Sequence, residues 1–188
     1  DLEEKDELVS MSLVKDDDDV LLVTSKGQSI RFNVAELRAS SRTSGGVRGI
    51  RLGKGDALVS MDRTDDDAFI LAVTRNGYGK LSRVGNYPHQ HRAGSGVITL
   101  KTNEKTGPVC AARLVTQSEQ LVIISAEGIV TRISVMGQDN KQEIPIYTRY
   151  TQGVRLMRPQ PGDHVVAISN FEDAAPGPAP AASPPDSA

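Results

Sequence analysis

The feature that most restricts what this chain can fold into is a unit written three times. An apolar run, a turn glycine, a basic stretch and a Gly-Val pair recur in the same order. They read LLVTSKGQSIRF with SGGVRGIR from Leu21, LAVTRNGYGKLS with SGVITLK from Leu71, and LVIISAEGIVTRI with TQGVRLMR from Leu121. The turn glycines Gly27, Gly77 and Gly128 lie 50 and 51 residues apart, and Gly46, Gly96 and Gly153 of the Gly-Val pairs lie 50 and 57 apart. A period near fifty belongs to propellers and stacked arrays, in which a unit buries its apolar face only against its neighbours. The apolar runs are five to seven residues long, rich in Val, Ile and Leu, and bounded by Gly, Asp and Asn. Such runs read as strands.

The expectation is an all-β, propeller-like array of four-stranded blades, about three repeats of roughly fifty residues plus a final strand. In the second copy the strands fall near 58–63, 68–74, 78–83 and 96–101. An acidic start at 1–7 precedes blades at 8–55, 58–107 and 109–162. The third blade holds a loop insert of six extra residues near 138–147, because Gly128 to Gly153 is 25 residues where the other copies have 19. A closing or unpaired strand follows at 164–171, and 172–188, rich in Pro and Ala, reads as a disordered tail. Aromatic content is 4% with no Trp, so burial must come from aliphatic side chains packed between sheets.

The formal net charge of −2 hides a segregation. Residues 1–19 hold nine acids against two bases, residues 172–188 three acids and no base, and the body between them twenty bases against twelve acids, a net +8. A basic body with acidic ends suits a polyanionic partner. Aligning the copies on their Gly-Val pairs puts Arg42, Arg92 and Arg149 in one column and Arg51, Lys101 and Arg158 in another. A third column is partial: Arg31 and Arg132 share it with Leu81, which Lys80 and Arg83 flank. With 22 Lys and Arg among 188 residues, columns basic in all three copies are not an accident of composition. If the copies are related by rotation, each column becomes a band of positive charge around a rim, the geometry of a phosphate track. No base-reading apparatus accompanies it, so recognition by backbone charge and bending is expected.

Other chemistries are poorly supplied. GGVRGIRLGKGD carries glycines and a lysine, but Asp56 stands where a phosphate-binding loop needs Ser or Thr, and the context is strand. His89 and His91 lack a third ligand nearby. The run Asp16 to Asp19 lacks the spaced ligands and glycine of a calcium loop. Cys110, the single cysteine, lies in the apolar run VCAARLV and reads as a small buried hydrophobe. Nothing resembles a secretory leader, and no apolar run approaches the twenty or so residues that cross a bilayer. No catalytic, cofactor-binding or metal-binding residue is assigned.

TRNGYGKLSRVGNYP followed by HRAGSGVITLK, together with SGGVRGIRLGKGD and YTQGVRLMRP, resembles the C-terminal domain of the A subunit of DNA gyrase, a type IIA topoisomerase, over about residues 5 to 171. The resemblance implies a β-pinwheel, a disc of six blades whose basic rim wraps duplex DNA in support of ATP-dependent negative supercoiling. It implies rim contacts at Arg42, Arg92, Arg149, Lys80 and Arg83. It also implies partners in double-stranded DNA, the B subunit of gyrase and the rest of the A subunit in a heterotetramer, with ATP and Mg bound elsewhere in that complex and no membrane involved. The setting implied is the bacterial cytoplasm, on the nucleoid. The family's signature box and catalytic tyrosine region do not occur in the sequence, so a fragment holding about half the pinwheel is expected. The C-terminal domain of the topoisomerase IV A subunit is a related alternative. An alternative of another class is a propeller serving as a protein-interaction platform, which predicts basic columns pointing to separate faces.

Overall fold

A computed structural model describes residues 4, 6–41, 43–117, 119–135 and 143–171. The described residues form eleven β-strands and two short 3₁₀ turns, at Val34–Glu36 and Val84–Asn86. The strands are β1 (Asp19–Thr24), β2 (Gln28–Asn33), β3 (Leu58–Thr64), β4 (Phe69–Thr74), β5 (Tyr78–Arg83), β6 (Val97–Ile98), β7 (Val109–Val115), β8 (Gln120–Ser125), β9 (Val130–Ser134), β10 (Val154–Arg155) and β11 (Val165–Phe171). Every strand pairing is antiparallel.

The hairpins explain the first glycine column. Thr24, Thr74 and Ser125 each accept from the N–H of the glycine three residues on, at 2.9, 2.9 and 3.0 Å, and their hydroxyls accept from the next N–H at 3.2, 3.2 and 3.1 Å. The glycines take φ of 75, 79 and 83°, the left-handed position that ends a three-residue hairpin loop.

The strands group into sheets ordered β3-β1-β2-β6, β10-β5-β4-β7 and β11-β8-β9. The first two therefore draw two strands from one copy of the repeat and two from the next. This corrects the boundaries expected from the unit: the blades are not 8–55, 58–107 and 109–162. The opening strand and the Gly-Val strand of each copy serve the preceding sheet. The last strand, β11, neither closes a ring nor stands unpaired, but pairs with β8 along Val165 to Phe171. Leu8–Val14, the counterpart of β3, joins no sheet, and Leu8 and Leu13 are 75% and 95% exposed.

Burial follows this layering. β3 packs on β7 and β7 on β11, so the sheets meet along these strands and carry β6 and β10 on their far edges. Leu21, Val23, Ile70, Ala72, Val109 and Leu100 fill the space between the first two sheets. Leu71, Val73, Leu81, Leu121, Ile123 and Val165 fill that between the second and third. With both faces covered, β4 is buried at all six positions, whereas β8 alternates buried and half-buried. A strand covered on both faces reads as a continuous apolar run, and one covered on one face alternates.

The insert in the third copy also lies elsewhere than 138–147. Val135 takes the place of Val84, each donating to the carbonyl sixteen residues back (Glu119 at 3.1 Å, Ala68 at 2.9 Å). Ile144 takes the buried place of Tyr87, and Tyr147 N donates to Leu81 O as Gln90 N does to Arg31 O, both at 2.8 Å. The extra residues thus fall between Val135 and Ile144. Most of that stretch, and the tail at 172–188, lies outside the described residues.

Candidate nucleic-acid interface

The segments that carry the basic columns run side by side along the outer edges of the sheets. Arg51 N donates to Gly94 O at 2.8 Å, and one copy later Lys101 N donates to Thr151 O at 2.9 Å. Arg92 Nη1 donates to Arg48 O, and one copy later Arg149 Nη1 donates to Ile98 O, both at 3.2 Å. Arg48 and Ile98 each follow the valine of their Gly-Val pair, so the same arginine reaches the same carbonyl one copy back. Sequence columns have become two rows along one edge.

Arg51, Lys101 and Arg158, the row on the hairpin-turn side, are exposed. Lys101 Nζ stands 5.4 Å over the Tyr150 ring, which stiffens a long side chain without neutralising it. Beside the Gly27 turn, Lys26, Gln28 and Arg51 line a shallow groove of about 340 Å³, with Asp56 and Ser95. Beside the Gly77 turn, Asn76, Lys105, Arg155 and Gln160 line another of about 250 Å³, with Asp163. Lys26, Lys105 and Arg155 are members of this edge that column counting did not find; the signal available was their closeness to a turn glycine or a Gly-Val pair.

Arg92 and Arg149 are half-buried. Arg149 Nε donates to Asn86 O at 2.8 Å, and its guanidinium lies 5.9 Å from the centre of the Tyr87 ring. Among the described residues neither guanidinium is paired with a carboxylate, so each keeps its charge at the edge while part of its donor set joins successive outer segments. Arg42 lies outside the described residues.

The partial column separates. Arg31 is 4% exposed. Its Nε and Nη2 donate to Asp19 Oδ2 at 3.0 and 2.6 Å, and Nη1 to Asp66 Oδ1 at 2.5 Å. His89 Nε2 adds a contact to Asp19 Oδ2 at 3.1 Å. The hydrogen bond and charge of Arg31 hold the Asp66 carboxyl below its usual range. Two carboxylates thus spend the charge of Arg31 inside the protein. Leu81 is core, and Arg132 is exposed and donates through Nε to Gln120 Oε1 at 2.5 Å. Arg83 is exposed, 4.9 Å over the Phe69 ring, beside Asp65, Asp67 and Glu119 at the opposite end of the sheet from the Gly77 turn. Lys80 is 1% exposed and points beneath the outer edge. Rim contact expected at Arg31 and Lys80 meets buried side chains.

The family model described as DNA gyrase C-terminal domain, beta-propeller, matches residues 18–65, 68–109 and 119–171. The chain belongs to that family. The three matched stretches track the three sheets, with breaks at the acidic turn before β4 and before β8. The chain is 45% identical over 171 residues to the DNA gyrase A subunit of Dehalogenimonas lykanthroporepellens, covering 91% of this chain and 21% of that protein. It is 39% identical over 168 residues to the DNA gyrase A subunit of Escherichia coli, covering 89% and 18%. The chain therefore spans about a fifth of the length of these gyrase subunits. Two solved structures share its fold. A DNA gyrase A C-terminal domain matches with TM-score 0.80 at 24% identity, covering 92% of this chain and 57% of the other. A DNA topoisomerase IV C-terminal domain matches with TM-score 0.82 at 22% identity, covering 92% and 52%.

Proposed function

We propose that this gyrase C-terminal domain chain binds duplex DNA along its outer edge and bends it around the sheets, as the wrapping module of a gyrase A subunit. In the parent enzyme such wrapping would present a DNA segment to the cleavage core, in support of ATP-dependent negative supercoiling together with the B subunit, in the bacterial cytoplasm. ATP and Mg would bind elsewhere in that assembly. The observation that carries the reading is the pair of equal steps, Arg51 to Gly94 and Lys101 to Thr151, which set exposed bases at repeat intervals along one continuous edge. Rotated copies of one cation are suited to a backbone whose phosphates also repeat, and such binding reads charge and curvature rather than bases. A protein-interaction platform is less well supported, since the basic rows share an edge. The gyrase reading is preferred to topoisomerase IV because the relatives at 39% and 45% identity are gyrase subunits.

With about six phosphates neutralised, log K for unrelated duplexes should fall against log salt with a slope of about −5, at about 0.9 per contact. Reversing Arg51, Lys101 and Arg158 together to Glu should remove most of that slope on every duplex tested. Loss on one sequence alone, or a parent slope near zero, would overturn the reading.

A further inference from the structure

Lys80 is the buried charge that the edge does not account for. It lies on β5, opposite Ala72 of β4. Its Nζ donates to Ser82 Oγ at 2.7 Å, to Thr148 O at 2.7 Å and to Arg149 O at 3.0 Å. An ammonium has three N–H donors and no acceptor, and three acceptors surround it. Among the described residues no carboxylate pairs with it. Burial first, and the nearby Arg149 guanidinium second, pull its pKa down to about 7.

The sheet does not need a lysine at this place. In the first copy the position is Ile30, fully buried, and a Cβ added to Gly94 of the adjoining outer segment would lie 3.4 Å from its Cδ1. An aliphatic side chain fills the same site and packs on the same segment. What the lysine adds is a hold on carbonyls. Ser82 Oγ donates to Tyr147 O at 2.9 Å, so Lys80 and Ser82 together fix three successive carbonyls, 147 to 149. That bend carries Arg149 and ends at Thr151, whose carbonyl accepts from Lys101 N.

We propose that Lys80 is a positioning residue for the DNA-binding edge: its ammonium clamps the bend at 147–149 from beneath and thereby places Arg149 and the backbone of Lys101. This rests on the DNA-binding reading above. A direct phosphate contact is a different role, and the two separate in experiment.

The variants are Lys80→Ile, which copies the residue at position 30, Arg149→Gln and the two combined. Without DNA, hydrogen exchange at the Thr151 and Lys101 amides should quicken in Lys80→Ile while the Leu71 and Val73 amides stay protected. Unchanged exchange at Thr151 and Lys101 overturns the clamp, whatever DNA does. If Lys80→Ile loosens Leu71 and Val73 as well, Lys80→Met is read in its place. With duplex DNA, Lys80→Ile should flatten the salt slope by about 0.9, the step of one contact, as Arg149→Gln does, and the combined variant should lose no more than either. Steps that add in the combined variant would make Lys80 an independent phosphate contact and overturn the proposal. A parent that binds DNA without salt dependence sinks the DNA-binding reading, and the exchange measurement still decides the clamp.

Discussion

Gly77 and Gly128 occupy the same place in two copies of one unit, close the same kind of turn and take φ of 79 and 83°, yet their surroundings have nothing in common. A Cβ on Gly77 would lie 2.1 Å from Met157 O, because the next copy's outer segment crosses the turn there; on Gly128 it would meet nothing within 4 Å. Gly27 is like Gly77, 2.1 Å from Leu100 O. The second glycine column repeats the contrast: a Cβ on Gly96 or Gly153 would strike Ser29 O at 2.2 Å or Gly79 O at 2.4 Å, while on Gly46 it would meet nothing. Both columns therefore mark one joint, in which a Gly-Val strand of one copy lies against a hairpin of the copy before it. The joint is made twice, and its two halves stand open in the first and third copies. What looks like a turn requirement in sequence is at the interior copies also a requirement for close backbone approach.

The largest effect should therefore be Gly77→Ala. Left-handed backbone costs a non-glycine residue about 1–2 kcal/mol, and the clash with a carbonyl that cannot retreat without lifting β10 should bring the total to about 4 kcal/mol or more. Gly128→Ala, with the same backbone and open space, should cost only about 1–2 kcal/mol. Urea unfolding of the two variants measures the difference. Equal losses would mean that the turn alone explains the glycine and that the joint contributes nothing.

A second contrast lies within the column that the repeat made look uniform. Arg31→Ala leaves Asp19 buried without its partner, and breaking a buried pair costs about 3–5 kcal/mol. Arg132→Ala removes an exposed side chain and should cost about 1 kcal/mol or less. If both variants unfold at the same urea concentration, the ion pair at Asp19 does not hold the first sheet together.

These cases show what sequence could and could not convey. Strand content, turn glycines and the two basic rows were legible because each is a local pattern repeated in register. Which sheet a strand joins was not, since β3 has the same alternation whether it pairs with β1 or opens a sheet of its own. The burial of Arg31 depends on Asp19 and Asp66, which stand 12 residues before it and 35 after it, a meeting that no spacing rule anticipates. Lys80 and Ile30 differ in chemistry but share a site, so column counting could not say that the lysine is inside. The insert was countable but not placeable, because its boundary is set by Val135 and Ile144 repeating the contacts of Val84 and Tyr87 in another copy.

Cys110 offers the smallest and most local probe of the made joint. It lies on β7 against the core shared by the second and third sheets, its Sγ donating to Val73 O at 3.5 Å, and burial pushes its pKa from 9.0 up to about 12. At pH 8 its thiolate fraction should then be about a thousandfold below that of an ordinary thiol, and alkylation correspondingly slow. Between pH 9 and 12 the unfolded thiol has released its proton while the folded one keeps it, so stability should decline as pH rises through that window. In Gly77→Ala, where the strand over the turn is displaced, alkylation of Cys110 should accelerate; in Gly128→Ala it should stay at the parent rate. Acceleration in both would show that loosening spreads through the sheets without regard to the joint, and the distinction between interior and end copies would then be one of packing detail and not of cooperative structure.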